Sequence, residues 1–285
     1  MRAARIYRYG DPGVIRVEEL DLPVAGDGEV LIKVAATSMN PTEAALRSGA
    51  LAAFLPVTLP VTLGWDVAGE VAGVPMIGRL DRGAAAEFAV VPAGRLVPAP
   101  VSVPLADAAA LPLAGLTAWQ AVVEHARVRA GERVLINGAG GGIGGFAVQI
   151  AKHRGAYVIA ASRGAARGAD EVLDYTAGPL RPGEPVDAVV NCAAIGDAAA
   201  AALPALVRPG GRVVTVATPV PATDDVAAWH MVVRHDPAGL GALVALVDGE
   251  VIKLDITGRG DLTDLPELHR LAEGGGLRGK VVVTP

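Results

Sequence analysis

Hydrophobic and polar positions change their period once along the chain, near residue 105. Before that point, apolar residues come in short runs cut by Gly, Pro and Asp, at 3–7, 14–19, 29–37 and 85–91. Over 29–37 (EVLIKVAAT), Val30, Ile32 and Val34 alternate with Leu31, Lys33 and Ala35, the pattern of a mostly buried strand. A short helix is predicted at 43–47. It is entered through Asn40-Pro41, where proline suits a first helical turn and Glu43 suits the positive helix end. From 105 to 128 the chain is rich in Ala and Leu at helical spacing, with breaks predicted at Pro112 and Gly115. Further on, apolar runs at 133–137, 157–162, 171–175, 188–192 and 212–217 are separated by helical or turn segments, including helices at 146–154 and 198–207. Strands alternating with helices imply βαβ units and a mainly parallel sheet covered on both faces. The last segment predicts a helix at 238–247, then strands at 251–256 and 280–283 bracketing a helix at 265–272. The fold class is α/β, with a β-rich part and a doubly wound part.

One junction in this pattern carries chemistry. Residues 134–145 read VLINGAGGGIGG, an apolar strand-like run, then glycines, then a helix. A strand that ends in glycines and opens a helix puts free backbone N–H groups at a positive helix end, where a pyrophosphate can sit. Glycine is needed because a Cβ would hold the phosphate away. The literal G-x-G-x-x-G match is Gly140, Gly142 and Gly145. A register one residue earlier uses Ala139, Gly141 and Gly144, with Ile143 between. The blander alternative is a glycine-rich turn between a core strand and a core helix. In NAD-binding folds an acidic residue about 20 positions on holds the ribose 2′-OH. Here that strand ends Ala160-Ala161-Ser162-Arg163, with Arg167 close by and no carboxylate. Guanidinium groups suit a 2′-phosphate, so the cofactor expected is NADPH. Otherwise Arg163 and Arg167 merely solvate a loop.

Composition removes several other classes. The chain has 285 residues, 52% hydrophobic but only 4% aromatic, so its core is built from Ala, Val and Leu. Its 25 Lys and Arg against 30 Asp and Glu give a net charge of −5 without a basic cluster, which argues against a nucleic-acid partner. The single cysteine, Cys192, excludes an internal disulfide and a cysteine-based metal cluster. The N-terminus MRAARIYRYG has no apolar signal-like core, and no apolar run reaches the ~20 residues that span a bilayer. A cytoplasmic protein acting on a small molecule, without a membrane, is expected.

Nearly end to end, the motifs SMNPTEAALRSG, GWDVAGEV, EFAVVPAGRLVPAP, DAAALPLAGLTAWQAV, RVLINGAGGGIGGFAVQIAK, GADEVLDY, VRPGGRVVTV and HRLAEGGGLRGKVVV occur in this order. In that order they resemble the zinc-independent quinone oxidoreductase and enoyl reductase branch of the medium-chain dehydrogenase/reductase superfamily. The resemblance implies a GroES-like catalytic domain, 1–114 with 248–285, and a Rossmann NADPH-binding domain, 115–247. Two stretches are shorter than the family's pattern, 72–86 and 163–167, whether as true deletions or as omitted segments. Zinc-dependent relatives carry Gly-His-Glu where this chain has Gly64-Trp65-Asp66, so no metal is expected. Without a zinc Lewis acid, reduction of a quinone or an activated C=C is favoured over alcohol oxidation.

The resemblance also implies which residues meet the cofactor. Tyr175, in the DY pair, is placed near the 2′-phosphate. Asn40 and Thr117 are expected at the nicotinamide end as catalytic and binding residues, with backbone at Asn191, Cys192, Ala193, Val216 and Ala217. Lys280 is expected to reach the cofactor phosphates. Each has a plainer alternative: Asn40 as a helix N-cap, Thr117 as a capping residue, Cys192 as core, Lys280 as an exposed strand-end lysine. Phe54, Leu55, Trp65 and Trp229 are candidate pocket walls. Some relatives place a Tyr after the Asn-Pro pair as a proton donor. The span TEAALRSGAL has none, leaving Glu43 or solvent. That absence leaves a second reading open, a cofactor-binding member of the same fold with a non-redox role, a biosynthetic cyclase-type enzyme or a redox sensor. The strand around 229–233 lies where relatives pair their sheets, so a homodimer is expected.

Overall fold

The computed structural model describes residues 1–164 and 166–285; Ala165, within the short segment 163–167, lies outside the described residues. The chain forms β1 (Arg2–Ile6), β2 (Arg16–Glu19), β3 (Glu29–Met39), α1 (Pro41–Ser48), β4 (Val61–Thr62), β5 (Asp66–Val71), β6 (Val74–Arg79), β7 (Phe88–Pro92), β8 (Leu96–Pro98), α2 (Leu105–Ala108) and α3 (Pro112–Trp119). Pro112 opens α3 rather than breaking a helix, as its missing N–H allows at a first turn, and the helix runs through Gly115. There follow β9 (Arg133–Asn137), α4 (Gly142–His153), β10 (Tyr157–Ala161), β11 (Glu171–Leu173), β12 (Val186–Asn191), α5 (Asp197–Ala202), β13 (Val207–Thr215) and β14 (Ala227–His230). The chain closes with α6 (Pro237–Asp248), β15 (Ile256–Asp261), α7 (Leu265–Glu273) and β16 (Lys280–Thr284).

Two compact units result. One is Met1–Leu113 with His235–Pro285, the other Ala114–Arg234. Helix α6, placed by sequence in the second domain, belongs to the first unit. Its last residue, Asp248, accepts the N–H groups of Val101 and Ser102, both at 2.9 Å, and Val247 is buried.

In the first unit the sheet order is β15-β16-β3-β5-β6-β8, with β7 also paired to β3. A smaller sheet has the order β2-β1-β4. β3 is the hub. Its pairing with β16 (Met39↔Val281) and with β5 (Ala36↔Ala68), continued by one or two residues, sets Asn40 opposite Lys280 and Ser38 opposite Asp66. The apolar positions of the alternating pattern, Ile32 and Val34, join Val67, Ala89 and Val91 in one core. The short segment 72–86 begins as a tight hairpin: Ala72 and Gly73, both at positive φ, turn β5 directly into β6. The strand predicted at 251–256 lies instead at β15. Glycine fits because a Cβ at Gly258 would crowd Val281 at 3.3 Å and one at Gly260 would meet Asp264 at 2.7 Å.

In the second unit all neighbours are parallel, in the order β11-β10-β9-β12-β13-β14. Numbered by appearance this is 3-2-1-4-5-6, the order of a dinucleotide-binding sheet. Val, Ala, Leu and Ile from β9, β10, β12 and β13 form its core with α5. β10 reaches β11 through nine residues, 162–170, and none of the described ones is helical. No described helix is long and apolar enough to cross a membrane.

Candidate functional site

The parallel sheet reverses its direction of growth between β9 and β12, and open α/β sheets take ligands at the carboxyl edge of such a point. β9 delivers the glycine stretch there. Gly138 has φ +80°, a left-handed conformation that favours glycine. At Gly144 a Cβ would lie 2.1 Å from the Gly138 carbonyl oxygen and 2.8 Å from Ala139 Cα, so α4 starts against the strand end with no room for a side chain. Gly140 and Gly145 differ: the nearest atoms to an added Cβ are 3.8 and 3.9 Å away, ordinary contact. Of the two registers, Ala139, Gly141 and Gly144 is the one the backbone demands. The N-cap of α4 is Gly141, which offers no capping side chain, and the first turn holds no acid. Its first N–H groups and positive helix end therefore fit a pyrophosphate, with Gly140, Gly142 and Ile143 completing the loop.

Beside this cradle, β10 and β11 end in register, Ala161 opposite Leu173, so Ser162–Arg163 and Tyr175 leave one sheet edge from adjacent strands. Arg163, Arg167 and Tyr175 are exposed. Neither guanidinium forms an ion pair among the described residues, which leaves both cations for an anionic ligand. The Ser162 hydroxyl is turned back onto the Gly164 carbonyl, so the serine shapes the loop rather than facing outward.

On the other side, Asn191 is wholly buried, and its amide donates to Ala193 O and to Thr215 Oγ1. The side chain is thus engaged inside the protein, whereas the expectation for this residue concerned its backbone. The backbone N–H groups of Cys192, Val216, Ala193 and Ala217 also bond internally, to Asn137 O, Asn191 O, Asn191 Oδ1 and Thr215 Oγ1. Burial pushes the Cys192 thiol up to about 12, above the usual thiol range. Thr117 is buried on α3. Asn137, which sequence reasoning passed over, donates to Asn191 Oδ1 at 2.8 Å. Its signal was a polar residue closing an apolar strand, but its partner emerges only from the strand order.

The first unit holds a second polar centre, built by β3, α1, β5 and β16. Asn40 Nδ2 lies 2.8 Å from Asp66 Oδ2, 3.1 Å from Glu43 Oε1 and 3.1 Å from Ser38 O. Its Oδ1 accepts from Lys280 Nζ at 2.6 Å. Asn40 occupies the N-cap of α1 without a side-chain capping bond. Asn40 is a buried keystone, its amide engaged on both sides by protein groups. Lys280 is 3% exposed, donates also to Met39 O, and sits 3.6 Å from Asp66, so it is not the exposed strand-end lysine of the plainer alternative.

Charge in this cluster is unbalanced: two carboxyls, Asp66 and Glu43, and one ammonium, all buried. Asp66 accepts from the Leu113 N–H at 2.6 Å, the Ser38 hydroxyl at 2.5 Å and Asn40. Among the described residues Glu43 accepts only from Asn40 and the Gly64 N–H, and burial raises its pKa to about 7. Burial lowers that of Lys280. Trp65 is a core residue, while Phe54 is exposed and Trp229 half-exposed on the edge strand β14. Among the described residues no three His, Cys, Asp or Glu side chains come together to hold a metal ion. Asp66, the one acid in Gly64-Trp65-Asp66, is already engaged by protein donors.

Two family models match. That of the alcohol dehydrogenase GroES-like domain covers residues 26–75, and that of the zinc-binding dehydrogenases covers 167–283. The chloroplast envelope quinone oxidoreductase homolog of Arabidopsis thaliana is 38% identical over 226 residues, 68% of each chain. Among solved structures, the quinone oxidoreductase of Coxiella burnetii superposes with a TM-score of 0.91 at 28% identity, covering 100% of this chain and 99% of that one. A mycobacterial protein complexed with NADPH superposes at 0.86 with 28% identity, covering both chains fully.

Proposed function

The chain belongs to the quinone oxidoreductase branch of the medium-chain dehydrogenase/reductase superfamily, and we propose that it reduces a quinone or an α,β-unsaturated carbonyl with NADPH, without a metal ion. The observation that carries the reading is the glycine cradle at the β9–β12 switch point, closed to any Cβ at Gly144. Gly140–Gly144 would hold the pyrophosphate on the first N–H groups of α4, and Arg163, Arg167 and Tyr175 would read the 2′-phosphate. NADPH supplies hydride when bound there.

The residues of the first unit support a reduction whose proton comes from water. Glu43 has both oxygens on N–H donors and is sealed in the protein, and the Asn40 amide is similarly engaged. Quinones and small enones take up a proton from solvent after reduction, so no dedicated acid is required. The donor set at Gly64-Trp65-Asp66 supports a metal-free site. The reading is tested by comparing kcat/KM for NADPH and NADH in the wild type and in Arg163→Ala/Arg167→Ala. Preference for NADPH in the wild type, largely lost in the double variant, is expected. Equal use of both cofactors by the wild type would remove the 2′-phosphate assignment.

A further inference from the structure

The carboxyl edge of the parallel sheet carries a chain of hydrogen bonds that the cofactor reading leaves unused. Asn137, the last residue of β9, donates to Asn191 Oδ1 at 2.8 Å. Asn191, the last residue of β12, donates to Thr215 Oγ1 at 3.2 Å and to Ala193 O at 3.1 Å. Thr215, the last residue of β13, donates to Thr218 O at 2.6 Å. The Thr218 hydroxyl donates to Ile195 O at 2.8 Å and accepts from Ile195 N at 2.9 Å. The three strand-end residues are in-register neighbours, Asn137↔Asn191 and Asn191↔Thr215. All three are buried, Asn191 and Thr215 completely.

The ladder has one direction. Ala193 O can only accept, so Asn191 must turn its Nδ2 that way and its Oδ1 toward Asn137. Asn137 must then donate. Thr215 receives an N–H from Asn191 and has one proton left, which goes to Thr218 O. Beyond the backbone bonds of Cys192 and Val216 to strand carbonyls, the loops 192–196 and 216–218 are tied through these side chains.

The position of those loops gives the ladder a task. A pyrophosphate on the start of α4, after β9, sends the adenosine half toward the end of β10, where the ribose-reading residues stand. The other half of the dinucleotide then lies over β12 and β13. We propose that Asn137, Asn191 and Thr215 are positioning residues that set, from inside the sheet, the path of the two loops receiving the nicotinamide half. This rests on the cofactor reading above.

Thr215→Val removes the hydroxyl at nearly constant volume, Thr215→Ser keeps it, and Asn191→Asp replaces a forward donor with an acceptor. Calorimetry on the full chain would compare NADPH with 2′,5′-ADP, which lacks the nicotinamide half. Thr215→Val and Asn191→Asp are expected to weaken NADPH about five- to tenfold, the loss of one buried hydrogen bond. They leave 2′,5′-ADP unchanged, and Thr215→Ser restores NADPH affinity. Wild-type affinity for NADPH in Thr215→Val, or an equal loss of both ligands, would overturn the proposal; the second result marks a general structural defect. If Asn191→Asp does not fold, the Thr215 pair decides. A wild-type chain that binds neither ligand overturns the cofactor reading itself, and the proposal with it.

Discussion

Gly144→Ala and Gly145→Ala are neighbouring, chemically identical substitutions with opposite expected outcomes. At Gly144 the new methyl would sit 2.1 Å from the Gly138 carbonyl oxygen and 2.7 Å from its carbon. Both are backbone atoms, so no rotamer change relieves the clash. The start of α4 must move off the strand end by about 1 Å before the contact becomes ordinary. Overpacking of this kind costs about 1–3 kcal/mol, and the upper end applies where backbone meets backbone. At Gly145 the nearest atom is 3.9 Å away, and alanine in a helix interior is favoured over glycine by up to about 1 kcal/mol. The two variants should therefore differ by roughly 2–4 kcal/mol in urea unfolding, Gly144→Ala below the wild type and Gly145→Ala at or above it. Calorimetric NADPH binding should fall in Gly144→Ala, because the phosphate-facing N–H groups move with the helix. Equal stability of the two variants, or greater damage at Gly145, would refute the register assigned to the cradle.

Three further outcomes follow from buried groups in the first unit. Lys280→Met leaves Asp66 without its buried ammonium and should cost about 3–5 kcal/mol, while affinity for 2′,5′-ADP stays intact; a stable variant that loses 2′,5′-ADP would return Lys280 to the phosphates. Glu43 has a folded pKa of about 7 against an ordinary 4.5, so its contribution to stability is present below about 4.5 and lost as pH rises through 7. Urea midpoints of the wild type should fall relative to Glu43→Gln between pH 5 and 8, and parallel profiles would contradict this. His269, on α7, is fully buried with neither ring nitrogen hydrogen-bonded among the described residues, and burial, then the Arg47 charge, lowers its pKa to about 4. The sign is opposite, with stability present above about 6.5 and lost as pH falls toward 4. His269→Leu should stabilise by about 1–3 kcal/mol at pH 7 and by more at pH 5, whereas a gain equal at both would refute the assignment.

The cofactor half of the fold was legible because its signal is local. A buried strand, a glycine turn and a helix start occupy twelve consecutive residues, 134–145, and the demand for glycine at Gly144 comes from atoms five and six residues away in sequence. What stayed illegible depends on register between distant strands. Asn40 and Lys280 lie 240 residues apart, and the β3–β16 pairing is what joins them as a buried pair. Asn137 closes an apolar run in plain view, yet its role needs the 3-2-1-4-5-6 order that brings β12 beside β9. The boundary at 248 was misplaced for a similar reason. The Ala- and Leu-rich run at 238–247 reads equally well as a covering helix of either unit, and its attachment is made by the Asp248 carboxylate to backbone at 101 and 102.

The most direct measurement is the loss of reduced-nicotinamide absorbance when the purified, chelator-treated protein meets NADPH and 1,4-benzoquinone, with a small enone as second acceptor. Steady consumption of NADPH, undiminished by the chelator and much slower with NADH, is the predicted result. NADPH that binds and stays reduced in the presence of both acceptors would contradict a metal-free reductase. It would leave the cradle as a binding site serving some other chemistry.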